Sequence, residues 1–120
     1  MKHQMQATAF LLLKKEANLH MKQLNNTQKQ HLRRLAHDLR PAVQIGKNGL
    51  TDQIHTTIDH ELNAHELIKI KFMDFKEEKR QLTEELATAS NSTLIGLVGN
   101  IAILYREQAD PEKRQIRLPN

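Results

Sequence analysis

A loop with two glycines and a lysine is the stretch of this sequence best suited to binding a charged ligand. This loop, Gly46-Lys47-Asn48-Gly49, follows the short apolar run Pro41–Ile45 and precedes Thr51, where a helix can begin. Glycine permits positive φ and lets another molecule approach the backbone closely. A strand-to-helix turn also leaves backbone N–H groups free at the positive end of the helix dipole. The loop therefore suits a phosphate, to which Lys47 adds a charge, although most Gly-rich turns are only turns.

Basic side chains are concentrated in the segment that leads to this loop. Of the net charge of +4, residues 1–26 contribute four lysines and one glutamate, which leaves only +1 for the rest of the chain. A nucleic-acid ligand would therefore have to be bound through segregated charge and not through total charge. Segregation is present, because residues 27–49 carry one acid, Asp38, whereas residues 50–66 carry no lysine or arginine. The basic residues of the first block are Lys29, Arg33, Arg34, Arg40 and Lys47.

No set of residues in the sequence supports catalysis. The chain has no cysteine, which excludes disulfides, thiolate metal sites and a thiol nucleophile. It has no Walker, GxSxG or HExxH motif. The acidic pairs Glu77-Glu78 and Glu84-Glu85 lack the apolar shielding that an acid catalyst needs. His55 and Asp59 are spaced i, i+4, but a zinc site requires three or four supported ligands. We therefore predict no enzyme, no cofactor and no metal.

The aromatic residues do not predict a base-stacking platform. They are few: Phe10, Phe72, Phe75 and Tyr105. Phe72 belongs to a predicted core, which leaves too few rings for the recognition style of RRM or OB domains. Any nucleic acid is therefore expected to be bound through its backbone and shape.

The first half of the chain predicts a helix, a strand and a second helix around the glycine loop. Thr27 and Gln30 have the form of a capping box, and Pro41 ends the helix that they open. Ala42–Ile45 is a short strand. Thr51 can cap the second helix, which runs to about His65. Apolar residues recur at helical spacing in both helices: Leu32, Leu35, Ala36 and Leu39, then Leu50, Ile54, Ile58 and Leu62.

The second half predicts three strands and a helix. Leu67–Phe72 alternates so that Lys69 and Lys71 lie on the face opposite the core, which predicts a sheet with one open, positively charged face. Asp74–Ser90 is predicted to be the third helix. Thr93–Val98 and Ile101–Tyr105 form a hairpin around Gly99-Asn100, and Gly96 predicts a bulge or close packing. Ile116-Arg117-Leu118 is a candidate for a further short strand.

The element order α-β-α-β-α-β-β predicts an α/β fold. Right-handed crossovers that step the same way place their helices on one face of the sheet. The result is a two-layer sandwich with a four-stranded mixed sheet whose last strand is antiparallel to the other three.

Residues 1–23 are predicted to be an N-terminal extension outside the folded domain of residues 24–120. The apolar run Ala7–Leu13 is too short to span a bilayer, and no small-residue cleavage site follows it. Two interpretations stay open: an upstream extension before a start at Met21, or a short amphipathic helix from about Thr8 to Leu19.

Four segments in order resemble a known domain. Leu39-Arg40-Pro41, Gly46–Thr51, His65–Lys71 and Gly99–Arg106, with the closing Ile116–Pro119, are similar to the CRM domain (chloroplast RNA splicing and ribosome maturation) in its stand-alone bacterial YhbY-like form. The resemblance covers about residues 24–119. It implies a fold like the C-terminal domain of translation initiation factor three. It also implies RNA binding through a GxxG loop comparable to that of KH domains, in association with precursors of the large ribosomal subunit.

Carried over by position, the RNA-binding residues are the loop Gly46, Lys47, Asn48 and Gly49 with the basic residues of the first helix, Lys29, Arg33, Arg34 and Arg40. We add Lys69 and Lys71 to the RNA-binding set because the alternation of their strand places them on the open face, not because the family motif includes them. We expect a cytoplasmic monomer whose partner is RNA, namely ribosomal RNA or precursors of the large subunit. We expect no membrane partner and no small-molecule substrate.

Three other hypotheses remain. A protein-interaction adaptor in ribosome assembly would use the acids of the second helix: Asp52, Asp59, Glu61 and Glu66. DNA binding is not separated from RNA binding by phosphate contacts, and only the resemblance favours RNA. A small enzyme would need a catalytic set that the sequence does not contain.

Overall fold

The computed structural model describes residues 23–120. The expectations for the apolar run, for Met21 and for a helix from Thr8 to Leu19 lie outside the described residues. The helices and strands are α1 (Asn26–His37), β1 (Pro41–Ile45), α2 (Asp52–His65), β2 (Leu67–Phe72), α3 (Lys79–Ser90), β3 (Thr93–Val98) and β4 (Ile101–Tyr105), followed by a short 3₁₀ turn (Pro111–Lys113).

The four strands form one mixed sheet in the order β1-β2-β4-β3. β1 and β2 are parallel, and β4 is antiparallel to both of its neighbours. The predicted α/β fold is therefore confirmed, including a last strand that opposes the other three. Because β4 lies between β2 and β3, the final hairpin fills the position that the β2–α3–β3 crossover leaves open.

The main core lies between the sheet and the two helices α2 and α3. Its buried side chains come from alternate positions of the strands and from one face of each helix, including Ile45, Ile58, Leu62, Phe72 and Leu86. The predicted placement of both crossover helices on one face of the sheet is therefore confirmed. Burial at period 2 in β2 and at helical period in α2 is what places these residues on facing surfaces.

A second, smaller cluster lies on the opposite face of the sheet, beneath α1. Leu32 and Ala36 are fully buried there against Leu67, Ile103 and Tyr105. The face predicted to be open is therefore partly covered by α1 and the C-terminal tail, while Gln44 and Lys71 remain exposed on it. Ile116 and Leu118 pack against this cluster without forming the predicted strand.

Two helix starts differ from the prediction. The capping box that opens α1 joins Asn25 and Gln28, not Thr27 and Gln30, and the Gln28 side chain also donates to the Pro119 carbonyl at 2.9 Å. This contact to the distant tail favours the earlier start. α3 begins at Lys79 and not at Asp74, because the Met73 and Asp74 N–H groups both donate to the Ile45 carbonyl, which holds this segment in a turn.

Candidate nucleic-acid interface

The glycine loop is a tight turn with exposed side chains at its tip. The Gly49 N–H donates to the Gly46 carbonyl at 3.0 Å, and Gly49 has φ +68°, which an L side chain rarely adopts. Lys47 and Asn48 between them are exposed, and within residues 23–120 their N–H groups have no acceptor. Thr51 then caps α2 by accepting from the Ile54 N–H at 3.2 Å. The loop thus presents a cation and free amides beside a helix N-terminus, as an anion site requires.

Neighbouring segments hold this loop in place. The segment between β2 and α3, residues 73–78, hydrogen-bonds to the end of β1, and the Phe75 ring lies 3.6 Å from the position that a Cβ on Gly49 would occupy. The turn between β3 and β4 reaches the same edge, where the Asn100 carbonyl accepts from the Phe72 N–H at 2.8 Å. We call this edge, made of residues 46–49, 73–78 and 99–100, the loop end of the sheet.

One flank of α1 carries basic side chains over the face of the sheet opposite the main core. Helical spacing places Lys29, Arg33 and His37 on the same flank. Arg33 is exposed and its Nε donates to the Ile95 carbonyl at 3.1 Å, above Gly96, where a side chain would meet the guanidinium. The sheet is bulged at this point of β3, as predicted for Gly96. The hydrogen bond thus holds the Arg33 side chain against β3, while Arg33 remains exposed.

The other predicted cations fall into different places. Lys71 is exposed on the open part of the sheet, in register with Gln44 and Ile101. Lys69 instead donates to the carbonyls of His37 and Leu39 at 3.1 and 3.0 Å, so much of its hydrogen-bonding capacity stabilises the C-terminus of α1.

Two arginines of the predicted set lie apart from the loop. Arg34 points away from the flank of Arg33 by its helical position. Arg40 lines a cleft of about 500 Å³ at the other end of β1, together with Leu35, Leu39 and His65. The structure therefore places Lys47 and Lys71 at or beside the loop end and Arg33 farther back, against β3, and it does not bring Arg34 and Arg40 to the loop.

Lys47, Lys71 and Arg33 have no carboxylate partner among residues 23–120. The ion pairs of this part of the chain join His65 to Glu61, Arg106 to Asp59 and Arg114 to Glu107. Because no carboxylate neutralises Lys47, Lys71 or Arg33 at close range, their charge is available to an anionic ligand.

Three of the four acids assigned to a protein adaptor already have partners within the domain. Glu66 is 1% exposed, and its carboxylate accepts from the N–H groups of Gln108, Gln115 and Ile116 at 2.6–3.0 Å. Asp59 pairs with Arg106 at 2.8 Å and Glu61 with His65 at 3.5 Å, so among the described residues only Asp52 of these acids has no partner for its carboxylate. Sequence reasoning missed the internal role of Glu66, since its position at a helix end gives no sign of burial.

The described part of the chain has neither a clustered set of metal ligands nor a helix that could span a membrane. Residues 23–120 contain no group of three or more histidines, aspartates or glutamates that could hold a metal ion. They also contain no helix long and apolar enough to cross a bilayer.

Comparison with known proteins gives consistent matches over most of the chain. The model of the CRS1 / YhbY (CRM) domain matches residues 24–106. The chain is 39% identical over 97 residues to the probable RNA-binding protein YqeI of Bacillus subtilis, with 80% of this chain and 99% of that protein covered. It is 38% identical over 100 residues to an RNA-binding protein of Haemophilus influenzae, with 82% and 98% covered.

A solved structure agrees with the fold. The solution structure of a hypothetical protein of Staphylococcus aureus, a candidate RNA-binding protein, superimposes with a TM-score of 0.67 at 35% identity. It covers 81% of this chain and all of that one. The family match includes the glycine loop and α1, so the candidate interface lies within the shared domain.

Proposed function

The chain belongs to the CRS1 / YhbY (CRM) domain family, and on this premise we propose that it binds RNA at the loop end of the sheet. The observation that carries the proposal is the glycine loop, whose Lys47 is exposed and whose tip amides have no acceptor within residues 23–120. The relatives that are named as RNA-binding proteins support RNA over DNA.

In the proposed complex the glycine loop binds a phosphate of the RNA backbone. The N–H groups of Lys47 and Asn48 donate to the phosphate oxygens, and the dipole of α2, which Thr51 caps, adds a favourable potential. Lys71 and Arg33 neutralise neighbouring phosphates, and Lys29 and Lys69 extend the basic surface. Arg34 and Arg40 lie farther from the loop and contribute through longer-range attraction.

We further propose a role in the assembly of the large ribosomal subunit. The protein would bind ribosomal RNA or its precursors in the cytoplasm, as a monomer and without catalysis of its own. The support for this narrower role is the family resemblance, and residues 24–120 would supply the whole binding module. The role predicts that the protein sediments with precursors of the large subunit and not with mature ribosomes.

Binding across a salt series tests the proposal. The full chain is titrated against a structured ribosomal RNA fragment and a DNA duplex of similar length, as wild type and as Lys47→Glu. Lys113→Glu is the matched control, because Lys113 is exposed on the 3₁₀ turn after β4, away from the loop end. We expect Lys47→Glu to weaken RNA binding about tenfold and to reduce the slope of log K against log salt, since a phosphate contact is lost.

Two results would count against the proposal. Equal weakening by Lys47→Glu and Lys113→Glu would mean that only overall charge matters. Equal affinity for the RNA and the DNA duplex, indifferent to both substitutions, would mean that the loop end is not a specific RNA site.

A further inference from the structure

Exposed apolar side chains are concentrated at the loop end. Met73, Phe75 and Val98 are 48%, 40% and 68% exposed. The other large exposed apolar residues of the described chain, Leu35 and Leu39, line the cleft at the opposite end of β1. A folded domain gains by burying such side chains, and their clustering beside a charged loop indicates a surface for a ligand that is both apolar and anionic.

Two of these residues contact the glycine loop or the strand before it, and the third lies at the same end of the sheet. The Met73 N–H donates to the carbonyl of Ile45, the residue before Gly46, at 2.9 Å. The Phe75 ring lies against Gly49. Val98 is in register with Ile101, which is in register with Lys71 on β2. The apolar side chains and the cations Lys47 and Lys71 therefore lie at the same end of the sheet.

We propose that Phe75, with Met73 and Val98, binds unpaired nucleobases while the glycine loop binds the phosphates that connect them. This inference rests on the proposed function and adds the class of RNA, namely single-stranded segments and not duplex. In a duplex the base faces are stacked inside the helix, so an aromatic ring can reach them only where the strand is unpaired. The sequence predicts recognition of backbone and shape alone, because Phe72 belongs to the core and few other rings remain. The structure leaves Phe75 exposed in the turn before α3, which begins at Lys79.

The chemistry of the surface fits a nucleotide better than a protein. A stable protein interface buries about 800 Å² on each partner, whereas three side chains interrupted by cations offer much less. A nucleobase needs one ring face and a nearby phosphate site. Phe75 is also held in advance, because its φ of +57° and the anchored Asp74 N–H fix the segment that carries it. Such preorganisation reduces the entropy lost on binding.

Binding of a single-stranded and a double-stranded RNA, measured separately, tests the inference. The full chain is titrated with an oligouridine of about ten nucleotides, within the site size of small nucleic-acid domains, and with an RNA duplex of about 16 base pairs. Phe75→Leu removes the ring but keeps an apolar side chain, and Leu39→Ser is the control at the opposite end. We expect Phe75→Leu to weaken oligouridine binding about fivefold or more and to leave duplex binding unchanged. We expect Leu39→Ser to bind both RNA forms as the wild type does.

A ring-preserving variant and a spectroscopic signal complete the test. Phe75→Tyr keeps the aromatic ring and should bind oligouridine as the wild type does. This result would show that the loss in Phe75→Leu comes from the missing ring and not from a disturbed Gly49. A single 2-aminopurine in the oligonucleotide should change its fluorescence on binding to wild type and not on binding to Phe75→Leu. Duplex preference in the wild type, or equal loss for both RNA forms in Phe75→Leu, would overturn the inference. Failure of the proposed function would give a different result, because Lys47→Glu would then weaken binding of either RNA no more than Lys113→Glu does.

Discussion

The two ends of the domain use their charged residues in opposite ways. At the end where β4 leaves the sheet, Glu66 and Arg106 are saturated by partners inside the protein. Arg106 donates to the Asp59 carboxylate and carbonyl, the Ser90 carbonyl and the Asn63 side chain, all at 2.8–2.9 Å. At the loop end, Lys47 and Lys71 are exposed and form no ion pair with any carboxylate of residues 23–120.

The comparison separates a structural charge from a binding charge. A buried carboxylate that accepts three backbone N–H groups stabilises the fold, since removing it leaves those donors unsatisfied. An exposed lysine without a partner contributes little to stability and keeps its charge for a ligand. Net charge along the sequence does not distinguish the two cases, because residue type alone does not specify the partners.

The largest change in stability is expected at the end of the sheet where Glu66 and Arg106 have partners inside the protein. Glu66→Ala should lower the free energy of unfolding by about 3–5 kcal/mol, because the N–H groups of Gln108, Gln115 and Ile116 lose their buried acceptor. Denaturant titration measures the change. Glu61→Ala, on the same helix and half-buried, is the matched control and should cost less than about 1 kcal/mol.

Glu66→Gly sharpens the same experiment. Glu66 has φ +66°, where glycine is unstrained and alanine is not. Glycine should therefore be less destabilising than alanine by about 1 kcal/mol. Equal stability of the two variants would mean that the backbone at this position relaxes when the carboxylate is removed.

A smaller loss of stability is expected for Arg106→Met. The substitution keeps an apolar stem but removes every guanidinium hydrogen bond, and we expect a loss of about 2–3 kcal/mol in thermal or denaturant unfolding. RNA affinity should change little. Arg34→Met, an exposed arginine with no hydrogen bond to residues 23–120, should leave stability within about 0.5 kcal/mol of the wild type. If both arginines prove equally dispensable for folding, the distinction between the two ends fails.

The two glycines of the loop should respond differently to alanine. Gly49→Ala places a side chain at φ +68° and should cost about 1 kcal/mol. Gly46 is outside the left-handed region and has open space around the position of a Cβ, so Gly46→Ala should be close to neutral for stability. If RNA approaches the backbone closely, Gly46→Ala should nevertheless weaken RNA binding. Unchanged RNA affinity in Gly46→Ala would place the contact elsewhere on the loop.

The smallest effect concerns alkaline pH. Burial, with the nearby carboxylates of Glu66 and Glu107, raises the pKa of Tyr105, while Arg114 opposes the shift. The folded chain then keeps the phenol proton where the unfolded chain has lost it. Stability should therefore be complete below the ordinary tyrosine pKa of about 10 and fall as pH rises above it. Tyr105→Phe should flatten this part of the stability profile, and an unchanged slope would contradict the assignment.

Much of the fold follows from local patterns in the sequence. The alternation of Leu67–Phe72, the Thr51 cap and the Gly99-Asn100 turn are each determined within a few residues. The start of α3 could not be predicted in this way, because hydrogen bonds to the Ile45 carbonyl hold Met73 and Asp74 outside the helix. The same long-range bonds leave Phe75 exposed at the loop end.

For the candidate site, the sequence determined the glycine loop and the basic composition of α1. A short loop between a strand and a helix has few conformations, and glycine specifies them locally. Only the tertiary structure decided which charges remain free. Lys69 is partly used by the C-terminus of α1, Glu66 is buried under the tail, and Phe75 lies on Gly49. These outcomes depend on partners 26 to 50 positions away in the chain, which no local pattern encodes.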